Sequence, residues 1–321
     1  MTIYCFLFFM LLVLFFLFNE LVKRTNWYRN KLMYVREVQG KIESLDKQLS
    51  IVNLGSNPAL FSFCYDDFDG QNWSTGMQGP EFDLDILKRY YTKIKKNGIV
   101  LIPIVVFSSI TPYLWNYKLD YTSEWYHVRR YLINGKQTFF KNILNNFKEI
   151  CWLRFPLLVY PRSFLYIVRD SNLDERRKTL EQKMDLNALQ KDADKWVSGW
   201  MDEFDIKDIN SPLTETLDYC QDQCADKIVE IINFCETKEL KPVLVFPPMS
   251  SILNSRFTEK AKQTYVYSFV DRIKKKTPVL FMDYMTDIDF ADPSLYFNSF
   301  FLNLHGRKKF TERMLKDLDV K

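Results

Sequence analysis

Two stretches of the sequence place small polar residues where an α/β fold would run its chemistry. One is Asn53-Leu54-Gly55-Ser56-Asn57-Pro58, directly after an apolar run; the other is residues 296–311, which carry Asn298, Ser299, Phe301, Asn303, His305 and Gly306. Loops beyond the C-terminal ends of parallel strands are the usual place for ligands and reactions in such folds. Hydroxyl nucleophiles need a proton acceptor within reach, and the chain has only two histidines, His127 and His305. Histidines so far apart in sequence offer little for a His-based metal site. His127 lies among Tyr126, Arg129 and Arg130 and reads as a surface residue. Asp283, Asp287, Asp289 and Asp292 form an acidic loop that can bind a cation, although a solvated loop is the ordinary state of such a cluster. Cys5, Cys64, Cys151, Cys220, Cys224 and Cys235 contain no CxxC pair and no Cys/His cluster. Cys220 and Cys224 are spaced to share one helix face as buried thiols, and disulfides stay open. No metal and no cofactor is indicated.

The elements that must hold these loops are legible as alternation. Residues 50–54, 99–107, 242–246 and 278–282 are short apolar runs bounded by polar or turn residues, the pattern of buried strands. Helical periodicity falls at 82–96, 213–236, 258–275 and 304–318. Strand alternating with helix predicts a parallel sheet wrapped by helices. A long insert, 108–211, interrupts this alternation. It is dense in aromatics, among them Tyr113, Trp115, Tyr121, Trp125, Tyr131, Trp152, Phe155, Tyr160, Phe164 and Tyr166. Its segment 151–168 contains Pro156 and Pro161 and carries Arg154 and Arg162, which excludes a second spanning helix. The insert reads as a cap on the sheet, or as a surface for a membrane partner, lipid headgroups or sugar rings.

Residues 3–18 are uncharged and rich in Phe and Leu, slightly short of the roughly 17–25 residues of a spanning helix. The start lacks the basic residues of a signal peptide, and Asn19-Glu20 follows instead of a small-residue cleavage site. The expected organisation is a transmembrane anchor at 1–20, a juxtamembrane amphipathic helix at 21–50 and an α/β domain at 51–321. The amphipathic stripe is Val35, Val38, Ile42, Leu45 and Leu49, suited to a stalk or brace. Lys23, Arg24, Arg29, Lys31 and Arg36 all follow the apolar run, so charge asymmetry by itself puts the bulk in the cytoplasm. The formal charge of +4 over 321 residues, with no long basic stripe, excludes the electrostatic footprint of a nucleic-acid binder.

The blocks at both ends of the domain resemble the SGNH (GDSL-type) hydrolase superfamily, especially membrane-anchored members associated with cell-envelope polysaccharide or teichoic-acid modification. In that family a strand ends in Gly-Ser-Ser or Gly-Asp-Ser, and a C-terminal Asp-x-x-His-Leu-Asn block supplies acid and base. Here Gly55 fits, and Leu302, Asn303, Gly306, Phe310 and Thr311 keep the spacing of the C-terminal block. Residues 70–78, with Asn72 and Gly76, resemble the family's second block, which supplies an oxyanion-hole N–H; Gly55, Ser56, Asn72 and Gly76 are the corresponding cleft positions. Residues 247–251 resemble a loop bordering the family's cleft. The resemblance implies a three-layer, flavodoxin-like sandwich around a parallel sheet, and an extracytoplasmic domain. Carried over residue by residue, however, the nucleophile position holds Asn57, the acid position Asn298 and the base position Phe301. An amide cannot supply the alkoxide and Phe cannot accept a proton.

Two functions follow as expectations. The first is a non-catalytic accessory of envelope polysaccharide biosynthesis or acyl modification, binding a carbohydrate or acyl ligand or a membrane-bound acyltransferase. The alternative is an active esterase or O-acetyltransferase that uses Ser56 and His305 as displaced residues, with Asp289 or Asp292 to orient the histidine. A stalk that drives self-association is a third.

Overall fold

A computed structural model describes residues 2–29, 34–76, 78–110, 147, 150–151, 153–169 and 184–320. His127 and the aromatics at 113–131 and 152 lie outside the described residues. The chain divides into two compact units: Met1–Ser44 with Tyr121–Glu175, and Leu45–Asp120 with Arg176–Lys321.

In the first unit, α1 (Thr2–Lys23) is long and apolar enough to cross a membrane, and its side chains from Ile3 to Phe18 are largely exposed. Thr25 then caps a single turn, Asn26–Tyr28, by accepting the Tyr28 N–H. Helix α2 (Tyr34–Glu43) follows and buries Ile42. The amphipathic stripe in the sequence runs on to Leu49, but the helix stops at Glu43, and Leu49 opens the first strand of the second unit.

The second unit is an α/β fold around a five-stranded sheet, β1 (Leu49–Asn53), β2 (Gly70–Asn72), β3 (Ile94–Pro103), β4 (Lys241–Phe246) and β5 (Leu280–Asp283). The order is β2-β1-β3-β4-β5 and every pairing is parallel. Four strands overlap the apolar runs, but β3 ends at Pro103, four residues before its run does, and β5 is an edge strand that is not buried, with Leu280 exposed. Strand β2 escapes the sequence pattern because its three residues, Gly70, Gln71 and Asn72, are polar or small and only half-buried. Helix α3 (Pro80–Tyr90) ends six residues before the periodicity suggests. Ile94 already pairs with Leu49, and a register shift between Leu49 and Ile51 lets residues 95–98 protrude, with Asn97 at φ 61°. Such a bulge is read from pairing, not from hydrophobic period.

Ile51, Ile99, Leu101, Val243 and Val245 pack in one core with Phe310, Met314 and Leu315 of the last helix. The intervening Val52, Val100, Ile102 and Leu244 are equally buried, so both faces of β1, β3 and β4 are covered and these three strands read as apolar runs. The surrounding helices are α3, α4 (Leu186–Phe204), α5 (Glu215–Thr237), α6 (Glu259–Lys262, a π turn at Gln263–Tyr267, and Ser268–Lys276) and α7 (Leu304–Asp317). Asp185, Thr214, Thr258 and Asn303 cap α4 to α7 by accepting a backbone N–H three residues on. All six cysteines are free thiols, and Cys220 and Cys224 are buried side by side on α5 as their spacing indicates.

Candidate functional site

The loop after β1 is shaped by Gly55, whose φ of 102° is a backbone conformation that side chains disfavour and whose neighbours, Ala59 Cβ and Pro103, sit close. Its N–H donates to Asp83 Oδ1 at 2.9 Å, and Gln78 Nε2 donates to the same oxygen at 2.7 Å. Gln78 is held in turn by Thr75, whose hydroxyl donates to its Oε1 at 2.8 Å. Asp83 is buried, and desolvation pushes its carboxyl up to about 7 against the lowering effect of the Gln78 and Gly55 hydrogen bonds. Asn72 links β2 to this loop. Its Oδ1 accepts from Asn53 Nδ2 at 2.9 Å and from the Ser74 N–H and hydroxyl, while its Nδ2 faces the Ala59 carbonyl at 3.2 Å. The Asn72 amide is thus committed to holding the loop.

Ser56 stands at the N-cap of the turn Asn57–Leu60, half-buried, with no capping bond from its side chain. The Asn57 amide oxygen touches Gly76: a β-carbon on that glycine would come within 2.7 Å of it. Asn57 and Gly76 are therefore neighbours.

The C-terminal block is built from backbone contacts. Asn303 caps α7 by accepting the Gly306 N–H at 3.0 Å, and its Nδ2 donates to the Ser294 carbonyl at 2.6 Å. A β-carbon on Gly306 would meet the Leu295 carbonyl oxygen at 2.2 Å, so only glycine fits. Thr311 accepts the Cys64 N–H at 2.9 Å, and Phe310 lies fully buried against Phe63, Tyr284 and Phe290. Asn298 Oδ1 accepts from the N–H groups of Phe300 and Phe301 at 2.9 and 2.6 Å, which fixes the turn that carries Phe301. The Phe301 ring packs against Phe61, Phe300 and Trp196, with centroids 5.0, 4.8 and 5.7 Å away. Phe61 follows the Asn57 turn, its N–H donating to the Asn57 carbonyl. The two ends of the domain sequence therefore meet through an aromatic contact.

Helix α4, from the insert, completes this surface. Asp192 Oδ2 accepts from the Ser299 N–H at 2.9 Å and the Ser299 hydroxyl at 2.6 Å, while the Ser250 hydroxyl donates to the Ser299 carbonyl. Trp196 and Trp200 pack on Phe300, and Trp200 continues to Phe107 and Phe257. Phe107 is buried with φ 62°, an unfavourable backbone for a bulky residue, and is held by Trp200, Phe204 and Tyr265. This part of the insert is a helix whose aromatic face lies on the Phe300–Phe301 turn.

His305 is exposed on the first turn of α7, and neither it nor Ser56 hydrogen-bonds to the other among the described residues. The acidic loop serves local structure. Asp283 accepts the Met285 N–H, Asp287 the Asp289 N–H and Asp292 the Ser294 N–H, while Asp289 pairs with Arg313 at 2.7 Å. No cluster of three metal-type ligands occurs among the described residues. The arrangement offers amides, an aromatic wall and one buried carboxyl, and among the described residues it does not pair Ser56 with His305. Sequence reasoning missed Asp83, Asp192, Trp196 and Trp200. Compared with known protein families the chain matches none, and no curated protein matches it.

Proposed function

We propose that the chain is a membrane-anchored protein of SGNH type, a three-layer flavodoxin-like sandwich in its second unit, that works without ester chemistry. In this reading it serves envelope polysaccharide biosynthesis or acyl modification as an accessory, binding a carbohydrate or acyl ligand or a membrane-bound acyltransferase. The observation that carries it is Phe301: the base position is an aromatic ring packed between Phe61, Phe300 and Trp196. The strand order β2-β1-β3-β4-β5 and the Asn57–Gly76 contact support the scaffold. A surface polysaccharide role puts the second unit outside the cytoplasm, against the basic residues that follow α1.

The test is hydrolysis of a small activated acetyl ester by the purified full chain in detergent, beside Ser56→Ala. Turnover at the uncatalysed rate in both is the expected result. Turnover that Ser56→Ala removes overturns the reading and makes the protein an esterase. A pull-down from solubilised membranes then asks for a stoichiometric partner.

A further inference from the structure

The apolar run of α1 is short. Its roughly sixteen residues at 1.5 Å each cover about 24 Å, against a hydrocarbon core of about 30 Å. At the C-terminal end of that run the first unit adds a second apolar element. Phe16 meets Phe155 edge-on at 6.3 Å, and Trp27 stacks on Tyr166 at 5.3 Å and meets Tyr160 at 5.7 Å. Asn19, the first polar residue after the run, is 1% exposed. Its Nδ2 donates to the Arg154 carbonyl at 2.9 Å, and its Oδ1 accepts the Leu157 N–H at 3.3 Å. Leu157 lies in the turn that starts at Pro156, so Asn19 satisfies a helix-start N–H that has no partner in its own turn. Tyr28 ties down the same segment through its hydroxyl, which donates to the Leu153 carbonyl at 2.7 Å. The end of α1 is a built part of this unit, tied to residues 153–157 by the Asn19 and Tyr28 hydrogen bonds.

The outer side of the added element is apolar. Leu158, Phe164 and Val168 are 61%, 50% and 89% exposed. Arg154, Arg162 and Arg169 are exposed among them, and residues 150–169 contain no acidic side chain. Apolar residues continuous with a spanning helix, interleaved with arginine, match the boundary between acyl chains and anionic headgroups.

We propose that residues 153–169 seat in that boundary as an interfacial element, with Leu158, Phe164 and Val168 in the outer acyl layer and the three arginines on anionic headgroups. This rests on α1 being a bilayer span, so the experiment reads the two separately. The full chain, with Cys5→Ser and Cys151→Ser and its other thiols buried, is reconstituted in phosphatidylglycerol vesicles. Spin labels are attached through Leu158→Cys, Val168→Cys, Phe9→Cys on α1, or Ile288→Cys on the second unit. The labels at 158 and 168 collide with oxygen in preference to a water-soluble nickel chelate, as the label at 9 does, and the label at 288 shows the reverse. Labels at 158 and 168 that behave like 288, while 9 stays in lipid, overturn the interfacial seat and leave the anchor standing. A label at 9 that also lies in water overturns the span and the seat with it. Labels at 158 and 168 shielded from both reagents mean a protein contact and overturn the proposal. Reversal of the arginines, Arg154→Glu, Arg162→Glu and Arg169→Glu together, lowers the oxygen preference at 168 at least about twofold, with 9 unchanged, because the headgroup attraction becomes repulsion; no change overturns the headgroup role.

Discussion

Asp83 makes the stability of the second unit depend on pH in the opposite sense to an ordinary carboxylate. Its carboxyl is raised from 3.8 to about 7 in the fold. Between those values the folded chain holds a proton that the unfolded chain has released, so stability falls as pH rises through about 7 and is fully present below the ordinary value. At roughly 1.4 kcal/mol for each pH unit, the rise amounts to about 4 kcal/mol. This is an upper figure, because Asp83 lies in the first turn of α3, where the helix N-terminus returns roughly 0.3–1 kcal/mol to the charged form. Asp83→Asn keeps an oxygen to accept from Gly55 and Gln78 and removes the titration. Thermal unfolding of the full chain and the variant, followed by near-ultraviolet circular dichroism in one detergent, isolates the effect as a difference. The two should melt together near pH 4. At pH 8 the variant should melt higher, by up to about 10 °C for a unit of this size. A difference that stays flat from pH 4 to 8, or a variant less stable at pH 8, would refute the reasoning and mean that water reaches the carboxylate.

Asp69 should behave in the opposite way. Burial works to raise its carboxyl, but hydrogen bonds from Lys95, Ser50 and Lys47 outweigh it and hold the group below the usual carboxylate range. Its contribution is present at neutral pH and lost as pH falls through the acid range, so Asp69→Asn should flatten the acid side of the same melting profile. Gly306→Ala forces a β-carbon to 2.2 Å from the Leu295 carbonyl oxygen and should cost about 3 kcal/mol, read as a lowered urea midpoint. Asp192→Ala removes both hydrogen bonds from Ser299 and should cost about 1–3 kcal/mol. Its signature is faster hydrogen exchange in residues 186–204 and 298–301, with the β1 and β3 amides unchanged.

The parts of the fold legible in sequence are those where one physical signal dominates. Buried parallel strands have no polar face, so residues 50–54, 99–107 and 242–246 stand out as apolar runs. Strand β2 has no such run, because its value to the fold lies in the Asn72 amide and not in burial. Helix α4 carries a readable stripe, Leu189, Ala193, Trp196, Trp200 and Phe204 at spacings of three and four, which the aromatic density of the insert obscures. Asp83 is visible too: it shares a stripe with Ile86, Leu87 and Tyr90 on α3, and an acid on an apolar face either pairs or shifts its titration. The contact between Ser299 and Asp192 spans 107 residues and no local pattern announces it.

The residues that carry the family resemblance all have work in the fold that no reaction requires. Gly55 takes a backbone angle open to glycine, and Gly306 lets a carbonyl approach where a side chain would collide. Asn303 caps a helix and ties it to Ser294, Thr311 holds the Cys64 backbone, and Phe310 fills the core. Losing any of them costs stability whether or not an ester is ever cleaved. Under the proposed reading, Asn57, Asn298 and Phe301 stand under a different constraint, since the hydroxyl, carboxyl and imidazole of the SGNH pattern at those places would serve chemistry alone. Asn298 has a structural task, holding the Phe300 and Phe301 amides, and Phe301 fills an aromatic wall with Trp196. A spacing pattern built on such framework positions reports the scaffold, while activity must be argued from the side chains that face the reacting atoms. On that argument the ester assay and the stability assays are independent. Substitutions at Gly306 and Asp192 should unsettle the fold, and none of them should uncover or abolish hydrolysis.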